Sequence, residues 1–356
     1  MRVAIVGTGF GGLSAATAAE KYGLEIVQVG PPRFEYLPSL AKILSGRKRP
    51  EDLMVKPSFR WDVVPERALK VIEEGGKVKV ITEGEVIEAD YAVLAPGSEP
   101  WMPVQGVFPL YRVSHAREVK KELDKIGEGA RIAIVGSGLV GLEAAGELAW
   151  TREAGLSDYE VFILEGAPEL APTLPCKKVR PLIAKLLKKH KIKYYLNTLV
   201  SKVEDGKVIS KDGKEFDADL VIWAAGVQGP SLEVPCASKA RRGFIEVDEY
   251  LRAKGCKRIY VAGDASSSKS LKMAEEAMRH GWYAILHMTR RKEDPYEPFL
   301  TAQNPICFIS LGPKDGVSVI RRTAVPGRLA PLVKDILEKM MISMAKKAKM
   351  KPPIPV

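Results

Sequence analysis

Arg2-Val3-Ala4-Ile5-Val6-Gly7-Thr8-Gly9-Phe10-Gly11-Gly12 is the stretch of sequence that decides the fold. Its first five residues predict a buried strand, the small residues of Leu13–Lys21 predict a helix, and Ile26–Val29 predicts a second strand. This order is typical of a βαβ unit with buried, parallel strands. Glycines at 7, 9 and 12 allow the backbone to turn tightly and to approach a pyrophosphate at the N-terminus of the helix. The sequence therefore predicts a dinucleotide site here.

The same pattern returns in the middle of the chain. Arg131–Val135 predicts a strand, Leu142–Trp150 predicts a helix, and Gly136, Gly138 and Gly141 stand in the turn between them. A single glycine turn of this kind is weak evidence, because glycine turns are common. Two copies, each between a strand and a helix of small residues, predict two dinucleotide sites in one chain.

An acidic residue at the end of the second strand of such a unit binds the ribose hydroxyls. In the second unit this residue is Glu165, which follows the strand Tyr159–Leu164. Its charge would repel the 2′-phosphate of NADPH, so NADH is favoured; the alternative is a surface carboxylate at a strand end. In the first unit the corresponding residue is Gly30, and the sequence offers Glu35 or Arg33 as a substitute.

The remaining strands set the order of the domains. Tyr91–Ala95, which leads to Gly97, and Lys257–Val261, which leads to Gly263, are assigned to the first unit. The predicted fold class is α/β, with two Rossmann-like dinucleotide-binding domains, the second inserted in the first. We expect the first domain at residues 1–109 and 224–298, the second at 110–223, and a C-terminal strand pair and helix at 299–356.

Composition narrows the class of protein and its surroundings. The chain has 356 residues, of which 46% are hydrophobic and 28% charged, and this balance excludes a disordered chain. We expect no signal peptide, because Met1-Arg2 leads directly into a strand, and therefore a cytoplasmic protein with reduced thiols. The four cysteines, Cys176, Cys236, Cys256 and Cys307, fit this expectation because they are scattered with no C-x-x-C spacing. Few Asn and Gln beside abundant Lys, Glu and Arg are typical of thermophiles.

The order of the motifs resembles a known family. Along the chain, the first glycine turn comes first, then Ala95-Pro96-Gly97, and then the second glycine turn, which Glu143 follows. Trp223-Ala224-Ala225-Gly226-Val227 and finally Gly263-Asp264 come after it. In this order the chain resembles the two-dinucleotide-binding-domain flavoproteins, and most closely the type II NADH dehydrogenases. The resemblance extends to residue 320 and includes Phe34–Leu40 and Cys307–Gly316.

The resemblance implies a role for each motif. FAD would lie on the first unit and NADH on the second, with Glu143 near the meeting point of nicotinamide and flavin. The residues implied at FAD are Gly7, Gly9, Gly12, Gly97, Gly263 and Asp264, the last at its ribityl and phosphate part. The residues implied at NADH are Gly136, Gly138, Gly141, Glu165 and Gly226, the last close to the nicotinamide. Two alternatives stay open: Asp264 as a helix N-cap, and Glu143 as a helix residue paired with a basic neighbour.

The resemblance also implies a reaction. Hydride passes from NADH to FAD, and electrons then pass to a quinone-type acceptor, while the protein contributes mainly orientation. The helix around Lys272–His280 departs from the family, because it lacks the glutamines that face the quinone there. No metal site is predicted.

Three other functions stay open. A sulfide:quinone oxidoreductase needs two cysteines at the flavin; Cys307 stands where that family keeps one, but the helix after the second glycine turn has none and Cys176 comes late. Another reductase of the pyridine nucleotide-disulfide superfamily is the second alternative. The net charge of +11 allows a flavin-bearing nucleic-acid binder as the third, but no motif for reading DNA or RNA is present, so we expect no specific nucleic-acid partner.

The C-terminal segment predicts an amphipathic helix. Its apolar residues recur at helical spacing, namely Leu329, Leu332, Val333, Ile336, Leu337, Met340 and Met344. The residues assigned to the polar face are Lys334, Asp335, Glu338, Lys339, Ser343, Lys346 and Lys347. Because residues 299–356 carry ten Lys/Arg against three Asp/Glu, we expect the helix to bind an anionic membrane surface, at the inner face of the cell membrane. The alternatives are packing on the protein's own core or on a second subunit in a homodimer.

Overall fold

The computed structural model describes residues 1–174, 176–354 and 356. The strands of this part are β1 Arg2–Val6, β2 Glu25–Val29, β3 Phe34–Glu35, β4 Met54–Val55, β5 Asp62–Val64, β6 Lys70–Glu74, β7 Lys77–Ile81, β8 Val86–Ala89, β9 Tyr91–Leu94, β10 Glu99–Pro100, β11 Phe108–Pro109, β12 Arg131–Val135, β13 Glu160–Leu164, β14 Lys193–Tyr195, β15 Val200–Glu204, β16 Lys207–Ser210, β17 Glu215–Asp217, β18 Leu220–Trp223, β19 Val227–Gln228, β20 Ile259–Val261, β21 Ile306–Leu311, β22 Asp315–Ile320 and β23 Thr323–Pro326. The α-helices are α1 Phe10–Lys21, α2 Ala41–Leu44, α3 Val113–Leu123, α4 Leu139–Glu153, α5 Val179–Lys189, α6 Ala274–Met288 and α7 Leu329–Lys346.

The first parallel sheet has the strand order β20-β9-β1-β2-β5. β1 lies at its centre, with β2 and β9 paired in parallel on either side. Helix α1 packs directly on α6: a Cβ on Gly281 would lie 2.1 Å from the Gly11 carbonyl oxygen, and the Ser14 hydroxyl donates to the Met278 carbonyl at 2.8 Å. The small residues that follow the first glycine turn therefore allow these two helices to approach closely.

The second parallel sheet has the strand order β11-β18-β12-β13-β14. β12 again leads through a glycine turn into a helix, α4, and pairs with β13 and β18. α4 contacts the C-terminal strands through Gly146, where a Cβ would lie 2.3 Å from the Leu311 Cα. The C-terminal segment therefore packs on the helix of the second unit.

Three antiparallel three-stranded sheets and two short strand pairs, β3-β4 and β10-β19, complete the part of the molecule that the structure describes. In the order β6-β7-β8, β7 and β8 form a hairpin, and β6 pairs with β7 along its whole length. A second small sheet has the order β15-β16-β17. β10 pairs with β19, so the two segments that run between the large sheets are joined to each other.

The predicted C-terminal strand pair is a sheet of three strands, β21-β22-β23. The sequence analysis missed β23 because it contains Pro326 and precedes Gly327. Arg321 adopts a positive φ of +55° and closes a tight turn, which allows Ile320 to pair with Thr323. Pro326 is tolerated because β23 lies at the edge of the sheet.

The prediction of four reduced thiols is wrong for two cysteines. Cys236 and Cys256 form a disulfide, whereas Cys176 and Cys307 are free and buried. The segment between the paired cysteines folds back on itself, as the pairing of Lys239 with Ile245 indicates. This reversal brings together cysteines that are 20 positions apart, so their spacing in sequence did not indicate the pair.

The two parallel sheets, each with a strand, a glycine turn and a helix, confirm the predicted α/β fold with two Rossmann-like units. The domain boundaries given above stay a prediction.

Candidate functional site

The first glycine turn lies at the carboxyl end of β1 and excludes side chains at two of its glycines. A Cβ on Gly7, whose φ is +105°, would lie 2.1 Å from the Ala95 carbonyl oxygen, and a Cβ on Gly12 would lie 2.0 Å from the Gly7 carbonyl oxygen. Gly9 has no described neighbour within 4 Å of its Cβ position, so it faces open space at the start of α1. This arrangement fits a pyrophosphate at the N-terminus of α1.

Gln28 supports the first turn from β2, and the sequence analysis missed it. Its buried amide donates to the Gly7 carbonyl at 2.7 Å and accepts from the Trp61 indole at 2.8 Å. A glutamine within an otherwise apolar strand was the available signal, because a buried amide needs hydrogen-bond partners.

Gly30 stands where a ribose carboxylate was expected, and the two suggested substitutes pair with each other in this structure. The Glu35 carboxylate pairs with Arg33 at 3.3 Å and accepts from the backbone N–H of Val113 at 3.3 Å, at the start of α3. The Thr8 hydroxyl donates to the Arg33 carbonyl at 2.8 Å, which ties this loop to the glycine turn. Glu35 therefore serves the loop and α3 in this structure.

Gly97 and Asp264 follow two neighbouring strands of the first sheet, β9 and β20. Burial raises the pKa of the Tyr111 hydroxyl, and the Asp264 carboxylate raises it further. The Tyr111 hydroxyl is 2.7 Å from the Ser98 hydroxyl, next to Gly97. The structure therefore brings these two predicted residues to one edge of the sheet.

Asp264 is not the N-cap of the following helix, because α6 begins at Ala274 with Met273 as its N-cap residue. The Lys272 ammonium instead donates to the backbone carbonyl of Asp264 at 2.7 Å. Burial raises the pKa of the Asp264 carboxyl, and Lys272 acts in the opposite direction. A carboxyl group held here is suited to hydrogen-bond the hydroxyls of a ligand.

His280 supports Gly263 from α6 and was also missed. Its Nδ1 accepts from the Gly263 N–H at 3.1 Å, and its Nε2 is 3.2 Å from the Ser270 hydroxyl. Burial lowers the pKa of His280 to about 3, so the imidazole is neutral. A histidine on the inner face of an amphipathic helix was the available signal.

The second glycine turn repeats the geometry of the first. A Cβ on Gly136, whose φ is +102°, would lie 2.7 Å from the Ala224 carbonyl oxygen, and a Cβ on Gly141 would lie 2.0 Å from the Gly136 carbonyl oxygen. Gly138, like Gly9, has no described neighbour within 4 Å of its Cβ position. The second turn therefore also suits an anion at the start of a helix, here α4.

Glu165 is buried beside the second turn, which argues against the surface-carboxylate alternative. One carboxylate oxygen accepts from both the backbone N–H and the hydroxyl of Ser137 at 2.7 Å, and the other accepts from the Ala167 N–H at 2.9 Å. Leu199, which is 52% exposed, lies next to this loop, 3.3 Å from the Cβ position of Gly166. An exposed apolar side chain beside the carboxylate that is predicted to bind a ribose is a suitable surface for an adenine ring.

Gly226 lies just beyond the carboxyl end of β18, which pairs with β12 in front of the second glycine turn. Its φ is +108°, and its carbonyl accepts from the Trp101 N–H at 3.1 Å. A guanidinium nitrogen of Arg242 lies 3.2 Å from the Gly226 Cβ position. The structure therefore brings Gly226 to the same sheet edge as Gly136.

Glu143 forms a buried ion pair with the C-terminal helix. Its carboxylate contacts the Lys334 ammonium of α7 and accepts from the Ser310 N–H at 3.4 Å. Burial raises the pKa of Glu143, and Lys334 acts in the opposite direction. The alternative of a helix residue paired with a basic neighbour therefore describes its contact, while its role at the cofactors stays a prediction.

The assignment of Lys334 and Glu338 to a solvent-facing polar side of α7 is wrong, because both are buried. Glu338 contacts the Lys42 ammonium at 2.6 Å, the Lys48 ammonium at 2.7 Å and the Ser39 hydroxyl at 2.6 Å. Burial acts to raise the pKa of Glu338, but the hydrogen bonds lower it to about 2. Lys334 and Glu338 can be buried because each forms an ion pair with a residue of opposite charge, Glu143 and Lys42 respectively. The helical periodicity of the sequence does not reveal such partners.

The apolar side of α7 is turned outward as a consequence. Leu329 is 51%, Leu332 57% and Ile336 56% exposed, and Met340 is also exposed. This outcome argues against the alternative that the whole apolar stripe packs on the protein's own core.

Cys307 and Cys176 belong to the same buried apolar cluster. Burial raises the pKa of the Cys307 thiol to about 12, and Glu143 and Cys176 act in the same direction. Both thiols are therefore buried in the same core although the two residues are far apart in sequence.

Known proteins share these features. The sequence profile of the pyridine nucleotide-disulphide oxidoreductases matches residues 1–281. A protein named NADH oxidase from Methanocaldococcus jannaschii is 30% identical over 292 residues, which cover 74% of this chain and 63% of that protein. The alternative NAD(P)H-ubiquinone oxidoreductase C1 of Arabidopsis thaliana is 28% identical over 327 residues, which cover 75% of this chain and 61% of that protein.

The fold is also similar to that of a solved structure. The sulfide:quinone oxidoreductase of Aquifex aeolicus superposes with a TM-score of 0.86 at 18% identity, over 99% of this chain and 93% of that chain. The profile match agrees with the predicted resemblance to oxidoreductases that work with a flavin and a pyridine nucleotide. Since the profile covers most of its length, the chain belongs to the pyridine nucleotide-disulphide oxidoreductase family.

Proposed function

We propose that this protein is a FAD-dependent enzyme that oxidises NADH and passes the electrons to a quinone at a membrane surface. The observation that carries the proposal is the pair of glycine turns, each at the carboxyl edge of its own parallel sheet. Two such turns in one chain suit two nucleotides, a resident cofactor and an exchangeable substrate. The names of the two relatives, an NADH oxidase and an NAD(P)H-ubiquinone oxidoreductase, support the same chemistry.

The first turn is the proposed FAD site. The open space at Gly9 suits the pyrophosphate, and Asp264 with Gly263 and Gly97 suits the ribityl part. When bound, the flavin supplies the two-electron chemistry that side chains do not provide. Because Gly30 supplies no carboxylate and Glu35 serves α3, we expect FAD to be held mainly through its central part.

The second turn is the proposed NADH site. Gly138 faces the pyrophosphate position, and Glu165 is placed to exchange its bonds with Ser137 for bonds to the adenosine ribose. Its negative charge beside the turn disfavours the 2′-phosphate of NADPH. Gly226 would then lie at the nicotinamide end, at the same sheet edge.

Glu143 is the proposed acidic residue at the meeting point of the two cofactors. Lys334 compensates its charge within a buried environment, so the pair can hold a proton or a charge without solvent. This pair also fixes α7 to the helix that follows the NADH turn, and it therefore links the membrane-facing segment to the reaction site.

The outward side of α7 is the proposed membrane contact. None of the described helices is long and apolar enough to cross a membrane. Exposed apolar residues at Leu332 and Ile336, with lysines at the end of the helix, suit a position in the interface of an anionic membrane. We propose the inner face of the cell membrane as the location, because a quinone acceptor is dissolved in the lipid. A homodimer contact through the same face is the alternative.

A second candidate function is sulfide oxidation. Two observations favour it: Cys176 and Cys307 are free thiols buried in the same apolar cluster, and the fold is similar to that of a sulfide:quinone oxidoreductase. Burial opposes the thiolate that such chemistry needs, since it raises the pKa of Cys307 to about 12.

A comparison of electron donors tests the proposal. The purified protein, loaded with FAD, is given a short-chain quinone and either NADH or sulfide. We expect turnover with NADH, and unchanged turnover when both Cys176 and Cys307 are replaced by Ser. Turnover with sulfide alone, lost in that double variant, would establish the second candidate instead.

A further inference from the structure

The tip of one hairpin lies against the proposed NADH site. Lys239 pairs with Ile245 at its base, and the Ala240 N–H donates to the Phe244 carbonyl at 2.7 Å. Within this tip, Arg242 adopts φ +59° and ψ +25°, a left-handed conformation that is uncommon for a residue with a side chain. Such backbone strain persists where the surroundings enforce it, and it is concentrated at functional sites.

The surroundings hold the hairpin tip firmly. The Arg242 carbonyl accepts from the Gly229 N–H at 2.8 Å. Gly229 lies so close to the tip that a Cβ there would be 2.1 Å from the Gly243 carbonyl oxygen. The disulfide between Cys236 and Cys256 encloses the whole hairpin. The position of Arg242 is therefore built into the fold.

The Arg242 side chain points to the carboxyl edge of the second sheet. Its guanidinium lies over the Trp101 ring, 4.0 Å from the ring centre, and a guanidinium nitrogen lies 3.2 Å from the Cβ position of Gly226. Trp101 is itself fixed, because its N–H donates to the Gly226 carbonyl and its carbonyl accepts from the Trp223 indole at 2.7 Å. Arg242 thus stands at the end of β18, where nucleotides bind to sheets of this kind.

The charge of Arg242 is available for a ligand. Arg242 is exposed, and within residues 1–174, 176–354 and 356 no Asp or Glu forms an ion pair with it. A planar guanidinium with several donors is well suited to a diphosphate, and an aromatic ring beneath it reduces its freedom in advance.

We propose that Arg242 is a substrate-binding residue that reaches past Gly226 to the nicotinamide-side phosphate of NADH. The inference rests on the proposed NADH site. A contact of this kind forms as soon as NADH is bound and changes little during the reaction. Its loss should therefore raise the KM for NADH and leave kcat unchanged.

Variants of the FAD-loaded, full-length protein test the proposal. We expect Arg242→Gln to raise the KM for NADH by about tenfold or more, the range for a hydrogen bond to a charged group, with kcat within about twofold. Arg241→Gln, a neighbouring exposed arginine, is the matched control and should behave as wild type. Arg242→Lys should restore only part of the affinity, because it retains the charge but not the planar guanidinium stacked on Trp101.

Two nucleotide fragments locate the contact. Arg242→Gln should weaken the binding of ADP-ribose, which contains the pyrophosphate, by a similar factor, and should leave the binding of AMP unchanged. Equal behaviour of the Arg242 and Arg241 variants, or an equal loss for ADP-ribose and AMP, would overturn the proposal. Failure of the wild-type protein to bind ADP-ribose or to be reduced by NADH would instead reject the NADH site itself.

Discussion

Replacing Lys334 with Met tests how the C-terminal helix is coupled to the reaction site. In the wild-type protein Lys334 and Glu143 form an ion pair, and the side chain of each is only 10% exposed. The variant keeps most of the side-chain volume but leaves the Glu143 carboxylate buried without its cation. The double variant Glu143→Gln with Lys334→Met removes both charges, and Glu143→Gln alone completes the cycle.

The size of the effect follows from the burial of the pair. Breaking a buried ion pair by removing one partner costs about 3–5 kcal/mol. At about 2.1 cal/mol/K per residue, the unfolding entropy of 356 residues is about 0.75 kcal/mol/K, so the melting temperature should fall by about 4–7 °C. The double variant should lie much closer to wild type, because it contains no buried unpaired charge. Circular dichroism of the FAD-loaded proteins measures these temperatures.

The loss of stability in the Lys334→Met variant should depend on pH, because it involves the ionisation of Glu143. Burial raises the pKa of Glu143 in the folded protein, so ionising this group destabilises the fold as the pH rises through that pKa. Without Lys334 the pKa of Glu143 rises further. The difference in melting temperature between the Lys334→Met variant and wild type should therefore become smaller as the pH falls from about 8 to about 5. An unchanged melting temperature, or a gap that widens toward low pH, would refute this reasoning.

Three further predictions concern the nucleotide sites and the membrane contact. Gly12→Ala should abolish FAD binding and destabilise the apoprotein, because the new Cβ meets the Gly7 carbonyl. Gly9→Ala should weaken FAD binding but leave the melting temperature of the apoprotein unchanged. Equal melting temperatures for the two variant apoproteins would contradict the geometry. Glu165→Arg should narrow the ratio of kcat/KM for NADH over NADPH by at least tenfold, and a wild-type preference for NADPH would show that the role of this carboxylate is misassigned. Leu332→Ser combined with Ile336→Ser should lower the affinity for anionic liposomes at least tenfold in sedimentation assays, since burying such a side chain contributes about 1.5–3 kcal/mol. Ser343→Ala, at an exposed position of the same helix, serves as the control. Wild-type protein that stays in the supernatant at low salt would favour a dimer contact.

The two nucleotide units could be predicted because their pattern is local. A strand, a glycine turn and a helix of small residues lie within a few tens of positions, and both copies fold as expected at Gly7 and Gly136. The placement of Glu165 could also be predicted, because the end of the second strand always lies beside the turn in a parallel sheet.

What could not be predicted depends on contacts between distant segments. The periodicity of α7 marks an apolar and a polar side, but only the fold shows that Lys334 and Glu338 are paired with Glu143 and Lys42. These two residues of the polar side are therefore buried, whereas Lys339 and Ser343 are exposed. The disulfide of Cys236 required the reversal of the intervening hairpin. Gln28 and His280 stand out in the sequence as polar residues at apolar positions, but the sequence does not show which backbone groups of the turns they bind.

The most direct test of the proposed function is the visible spectrum of the purified protein during anaerobic titration with NADH. The account predicts oxidised flavin bands in the isolated protein, their loss on addition of about one equivalent of NADH, and their return when a quinone is added. A colourless protein that does not take up FAD, or flavin bands that persist in excess NADH and disappear only with another donor such as sulfide, would contradict it.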